Sequence, residues 1–287
     1  MGLLLSLLVI SFVVLVHEYG HYVLMRRNGV KVIEFTIGFG PTLYERKLKS
    51  GTMFRIKPIL LGGYARPLTN ADAARIKEAA SKEGYVPEPG TEGTGGPMEA
   101  TTPWARFKIY MAGMFFNATA AFVVFTILFY ATGRAPGMFV DLARQTGAPS
   151  ALIPLICALI GSYGLWLATP VLIVGLAAQG LQQFFGGMAG PIGIMGMGGS
   201  VVAASHTPVS LLMNTMMFFA MLNVGLAGFN LLPVFPLDGG HVFNLLLAKV
   251  SGGYAQKVTR LYQMVSLGLF LALILVVIGS DIVKLFL

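Results

Sequence analysis

Two histidines four residues apart flank a glutamate in the run His17-Glu18-Tyr19-Gly20-His21. On a helix, residues four apart share one face, so both imidazoles can grip one metal ion while the carboxylate beside them activates a water. Sixteen uncharged residues, MGLLLSLLVISFVVLV, precede the run, and Tyr22-Val23-Leu24-Met25 separate it from Arg26 and Arg27. An ionisable side chain in lipid costs roughly 2.5–3.5 kcal/mol on insertion scales. Three of them on one apolar helix need a compensating partner, and a metal ion supplies one.

A second stretch carries chemistry: Asn230-Leu231-Leu232-Pro233-Val234-Phe235-Pro236-Leu237-Asp238-Gly239-Gly240-His241. Pro233 and Pro236 lack the N–H donors a helix needs, and Gly239-Gly240 permit a tight turn. Glu18 and Asp238 read as the two carboxylates set inside apolar surroundings. A carboxylate on an unwound membrane segment needs a cation or a donor. Asp238 is therefore a candidate third ligand. Two imidazole nitrogens, one carboxylate oxygen and one open position for water make a catalytic zinc pattern. The alternative is that Asp238 only caps the helix starting near His241, where His241 itself has a helix-start role.

These groups need elements to position them. The chain has 287 residues, 55% of them hydrophobic and 11% charged, with a mean hydropathy of +0.75. Such a composition predicts a mainly α, polytopic membrane helical bundle. The formal charge of +8 does not signal nucleic acid, because 14 of the 20 Lys and Arg fall between Arg26 and Lys108. By the positive-inside rule that segment is cytoplasmic, which places the N-terminus outside and the motif toward the cytoplasmic face. Glu18 interrupts the apolar run, no basic region precedes it and no cleavage signal follows, so residues 4–31 read as a retained first span rather than a signal peptide. Cys157, the single cysteine, lies in an apolar run and says nothing of redox compartment.

Residues 32–66 alternate and carry turn signals at Gly38, Gly40, Pro41, Ser50-Gly51 and Gly62-Gly63, which predicts a small membrane-associated β region. Residues 67–103 read as a cytoplasmic loop with one helical patch, 104–131 as a second span and 132–150 as a short outer loop. Residues 151–185 read as additional membrane helices bent near Trp166–Pro170, 208–245 as a span leading into the Asp238 segment, and 261–280 as the last span. For Asp238 to meet the histidines, the 208–232 helix must run inward, so 151–207 must cross an even number of times or re-enter.

On these residues the chain resembles the site-2 proteases, zinc metalloproteases that cleave transmembrane segments. HEYGH is similar to the family's first motif and NLLPVFPLDGGH to its second. Further similarity to the bacterial branch of the regulator-of-sigma-E protease lies in Gly38-Phe39-Gly40-Pro41 with Leu61-Gly62-Gly63-Tyr64, in Ala112-Gly113-Met114-Phe115-Phe116-Asn117, and in Gly190-Pro191-Ile192-Gly193-Ile194. Met114 replaces the usual proline, which implies a straighter second span. The 132–150 loop is far shorter than the ~50 residues of a small domain, so no PDZ domain fits there. The resemblance implies that His17, His21 and Asp238 ligate Zn2+ and that Glu18 is the general base. It implies that Asn230 holds substrate backbone, with Asn117 in a similar role and with Gly62 and Gly63 on a strand that pairs with an unwound substrate. Helix C-capping by Asn230 and helix–helix bonding by Asn117 remain alternatives. The implied partners are a single-span transmembrane substrate and the lipid bilayer, in regulated proteolysis at a bacterial inner membrane.

Two other classes compete. A metal-ion transporter would also place His, Glu and Asp in the membrane, but would need polar residues leading across it, and the outer halves of these spans are apolar. An inactive scaffold would be expected to lose Glu18 or a ligand, and all four are present. His206, in the turn Ser205-Thr207, and the methionines Met195, Met197, Met216 and Met217 read as loop and packing residues.

Overall fold

The computed structural model describes residues 1–81, 90, 95–168 and 191–286. Among these the chain is mainly α and polytopic, with one small sheet. Among the described residues, five helical stretches are long and apolar enough to cross a membrane: Gly2–Arg27, Pro103–Thr132, Ser150–Ala168, Pro208–Asn230 and Gly252–Ile282. The described residues divide into two compact units, Ile10–Phe116 and Met1–Val9 with Asn117–Leu287.

The unit Ile10–Phe116 holds most of helix α1 (Gly2–Arg27), the sheet, helix α2 (Asn70–Ala80) and the start of helix α3 (Pro103–Thr132). The strands are β1 (Val32–Phe39), β2 (Tyr44–Lys47), β3 (Met53–Ile56) and β4 (Ile59–Pro67). Their order is β2-β3-β1-β4, with β1 parallel to β3 and antiparallel to β4. β1 is central and almost wholly buried, whereas β2 and β4 are the edges. Val30 and Val32 pack with Met25 of α1, Met98, and Ile109 of α3, which seats the sheet against both helices. The buried strand also carries Glu34. Its carboxylate accepts from Thr36 at 2.6 Å and Tyr64 at 2.9 Å and pairs with Arg55 at 3.1 Å. Burial pushes the Glu34 carboxyl up, but those three donors and the Arg55 charge together outweigh it, and it sits below the usual glutamate range. The helical patch expected in 67–103 is α2. Its N-cap Thr69 and Asp72 form a reciprocal capping box.

The other unit holds the rest of α3, helices α4 (Gly137–Gln145) and α5 (Ile153–Leu159), and helices α6 (Pro191–Ala203), α7 (Pro208–Asn230), α8 (Asp238–Val250) and α9 (Ala255–Phe286). Phe125, Leu128 and Phe129 of α3 pack with Phe139 and Ala143 of α4, Cys157 of α5, and Ala220 and Val224 of α7. Two polar bonds accompany this core: Thr119 Oγ1 with the Tyr163 hydroxyl at 2.8 Å, and Trp166 Nε1 donating to the Ala227 carbonyl at 3.1 Å. α6 is met by hydroxyl and carboxylate groups. Ser6 Oγ donates to the Met195 carbonyl at 2.9 Å and accepts from Gly198 N at 3.0 Å, and Asp281 Oδ2 accepts from Gly193 N at 3.0 Å.

Several expectations change. The 132–150 segment is not merely a loop: Phe139 and Ala143, four apart, bury one face of α4. The last span is longer than 261–280, because helical structure runs from Ala255 through Phe286. Glu18 and Asp238 are not the only carboxylates in apolar surroundings, since Asp281 is 4% exposed on the last helix. Met114 leaves α3 unbroken over its 30 residues. The bend near Trp166–Pro170 and the crossing parity of 151–207 depend on residues 169–190, which lie outside the described residues.

Candidate active site

α1 brings His17 and His21 together as their spacing requires. Both rings are buried, and their Nε2 atoms lie 3.2 Å apart. His21 Nδ1 is 2.8 Å from the Ile109 carbonyl of α3. A carbonyl can only accept, so Nδ1 carries the proton and Nε2 presents its lone pair to the histidine gap. This donor set fits zinc: bonds of ~2.0–2.1 Å at a near-tetrahedral angle place two ligand nitrogens about 3.3 Å apart.

The helix backbone around the imidazoles is shaped by glycine. A Cβ on Gly113 would stand 2.5 Å from His21 Nε2 and 2.6 Å from His17 Nε2. α3 therefore passes directly over the two ring nitrogens, and only a hydrogen fits between. One turn of α1 away, a Cβ on Gly20 would press on the Ala112 carbonyl at 2.7 Å. Gly113 belongs to the Ala112–Asn117 motif, yet its closeness to the imidazoles had no signal in spacing.

Glu18 points to the sheet. Its Oε2 accepts from the Ala65 backbone N–H at 3.0 Å. Ala65 lies on edge strand β4, opposite Phe35 of β1, so this N–H faces away from β1 and serves the carboxylate. Gly62 and Gly63 lie on the same strand. Gly63 pairs with Ile37, and a Cβ on Gly62 would meet the Phe39 ring at 2.9 Å. Ser11 of α1 donates to the Leu60 carbonyl, a second tie between this helix and β4.

The second motif lies in the other unit. α7 ends at Asn230, residues 231–237 leave the helix, and α8 begins at Asp238. The N-cap of α8 is Leu237, which offers no side-chain bond, so Asp238 is the first residue inside the helix and half-buried. Gly239 and Gly240 are held against the backbone of Leu231–Phe235, where any side chain would collide with carbonyls. The His241 ring stands edge-on to Phe235 at 5.0 Å. Asn230 is not a side-chain cap: its Nδ2 donates to the Leu226 carbonyl one turn back, at 3.0 Å, and the C-cap position falls on Leu231. Asn117 is fully buried, and among the described residues neither its Nδ2 nor its Oδ1 has a hydrogen-bond partner. The helix–helix bond that was the alternative for it is therefore absent among the described residues. His206 is exposed in the turn between α6 and α7.

The model for peptidase family M50 matches residues 5–275. A Campylobacter jejuni protein is 36% identical over 125 residues, which is 44% of this chain and 30% of that protein. A Rhizobium meliloti protein is 32% identical over 129 residues, 45% of this chain and 33% of its own length. A Xylella fastidiosa protein is 32% identical over 149 residues, 51% of this chain and 30% of its own length. All three bear the name "putative zinc metalloprotease". The chain matches no more than about a third of the length of these relatives.

Proposed function

This chain belongs to peptidase family M50, and we propose that it is a zinc-dependent endopeptidase that hydrolyses peptide bonds within or beside the membrane spans of single-span proteins. His17, His21 and Asp238 would hold the metal. The observation that carries the reading is the pair of buried imidazoles with Nε2 atoms 3.2 Å apart and the His21 tautomer set by the Ile109 carbonyl. Asp238 is the third ligand on chemical grounds: it is a carboxylate on the first residue of α8, just past the helix break at Pro233 and Pro236, in a segment rich in apolar residues.

Zinc held by these side chains would supply acidification of a water and polarisation of the scissile carbonyl. The Glu18 carboxylate would serve as the general base for the attacking water and then as the acid that protonates the departing amine. The Ala65 N–H steadies the Glu18 carboxylate beside edge strand β4. A helical substrate hides its carbonyls, so the substrate must unwind before attack. An extended substrate adds to the open edge of β4, along Gly62 and Gly63, by main-chain bonds. Asn117, whose amide has no hydrogen-bond partner among the described residues, would serve that task, and Asn230 would offer the side-chain oxygen that its bond to the Leu226 carbonyl leaves over. Five apolar spans and the basic 26–108 segment support an inner-membrane location with the site toward the cytoplasm and the β region against the bilayer. Regulated proteolysis of such substrates is the biological setting the reading implies.

Glu18→Gln tests it. The purified wild type and the variant should each hold about one zinc per chain, and the variant should cleave a single-span substrate at less than about one-hundredth of the wild-type rate. A variant that still cleaves, or a wild type that takes up no zinc, would overturn the assignment.

A further inference from the structure

The Asp238 segment is tied to the last helix by two hydroxyls. Non-helical backbone at membrane depth leaves carbonyl and N–H groups that lipid cannot satisfy. Within 231–237, Val234 N and Leu237 N find the carbonyls of Leu232 and Val234. Two of the remaining groups are met from α9. The Tyr262 hydroxyl donates to the Pro233 carbonyl at 3.0 Å and lies 3.3 Å from the Gly240 carbonyl. Ser266 Oγ accepts from Phe235 N at 3.2 Å and donates to the Tyr262 carbonyl at 2.8 Å.

Tyr262 and Ser266 are four apart and share one face of α9. Ser266 is 6% exposed, and the Tyr262 ring leans on Phe243 of α8 at 5.2 Å. The remainder of this helix is largely open, with Leu261, Met264, Leu269 and Leu275 all exposed. The Tyr262 and Ser266 hydroxyls thus face the backbone of the Leu231–Gly240 turn. They grip it on both sides of Asp238, at Pro233 and Phe235 before it and at Gly240 after it.

We infer that Tyr262 and Ser266 are positioning residues, which hold the Leu231–Gly240 turn so that Asp238 is presented to the metal in one fixed orientation. The inference rests on the reading of Asp238 as a ligand. Partners that orient a metal ligand typically contribute 10- to 100-fold to metal affinity. Tyr262→Phe removes one oxygen and keeps the ring, and Ser266→Ala removes the other.

The experiment measures zinc affinity by chelator competition on the full chain in detergent, with thermal unfolding of the zinc-free protein beside it. Variants are Tyr262→Phe, Ser266→Ala, the hydroxyl-retaining Ser266→Thr, Asp238→Ala, and Leu269→Ala on the open face of α9. The expected result is that Tyr262→Phe and Ser266→Ala each weaken zinc roughly 10-fold per folded molecule, while Ser266→Thr and Leu269→Ala bind as wild type. kcat should fall in the first two with KM unchanged. If Asp238→Ala loses zinc but Tyr262→Phe and Ser266→Ala bind it as tightly as wild type, the inference is overturned and the ligand reading stands. The inference is likewise overturned if those two variants only lower the melting temperature of the zinc-free protein. If Asp238→Ala binds zinc as wild type does, the ligand reading fails and the inference with it.

Discussion

Gly113→Ala puts one methyl group where the two proposed metal ligands of α1, His17 and His21, converge. The new Cβ would lie 2.5 Å from His21 Nε2 and 2.6 Å from His17 Nε2 and Cε1, against an ordinary contact of at least 3.4 Å. The rings or the α3 backbone must therefore give by about 0.9 Å, several times the ~0.2 Å tolerance of a zinc–nitrogen bond. Neither side yields easily, because His21 is tied to Ile109 on the same helix as Gly113 and Gly20 is pressed on Ala112. Overpacking of this kind costs about 1–3 kcal/mol in a close-packed interior. Taken up at the metal rather than in the fold, that range is roughly 5- to 150-fold in zinc affinity. The assay is zinc per chain by elemental analysis after dialysis against a graded chelator, with cleavage measured in parallel. Gly225→Ala serves as control, since a Cβ there meets nothing within 4 Å and the substitution should be neutral or slightly stabilising. A Gly113→Ala protein that binds zinc as tightly as wild type would refute the close approach of α3 to the imidazoles.

Three other outcomes are expected. Glu34 is held below its ordinary range, so its stabilisation is present above the unfolded-state value and is lost as pH falls through the folded one. Melting temperature should therefore drop as the solution is acidified below the usual glutamate range, and Glu34→Gln should flatten that dependence; parallel acid limbs in the two proteins would contradict it. Ala65→Pro deletes the N–H that serves Glu18. A hydrogen bond to a charged group contributes about 1.5–3 kcal/mol, so cleavage should fall roughly 10- to 100-fold with zinc content unchanged, whereas Ala65→Gly should keep the bond and the rate. Trp166→Phe leaves the Ala227 carbonyl without its buried donor and should cost about 1–3 kcal/mol of stability, visible as a lower melting temperature.

The parts of the site carried by local spacing were legible in the chain. His17 and His21 are one helical turn apart, and a helix alone makes their nitrogens neighbours. Turn residues and alternation located the β region, and Pro233 and Pro236 located the helix break. Distant approaches were not legible. Nothing in the sequence around Gly113 says that α3 crosses the imidazoles, nor that Ala65 offers its N–H to Glu18, because both depend on how separate elements pack. Asp281 stands three residues before Lys284, near the end of an apolar run, and so resembles a span boundary facing water. Its burial against Gly193 is set 88 residues away. α4 gives no clear signal because nine residues make too few turns for periodicity to outweigh the flanking Gly133, Pro136 and Gly147.

α6 has consequences for how the protein is made. Its described residues, Pro191–Ala203, are bonded by side chains from two helices distant in the sequence. It is bonded by Ser6 of α1 and by Asp281 of α9. The first of these clasps is synthesised long before α6 emerges and the second long after. Until α9 has entered the bilayer, the Gly193 amide has no carboxylate to accept it. Insertion is therefore not finished helix by helix: α6 waits on α9, and a chain stalled before Asp281 leaves the Gly193 amide without this acceptor, a mark of incompleteness that membrane quality control could read.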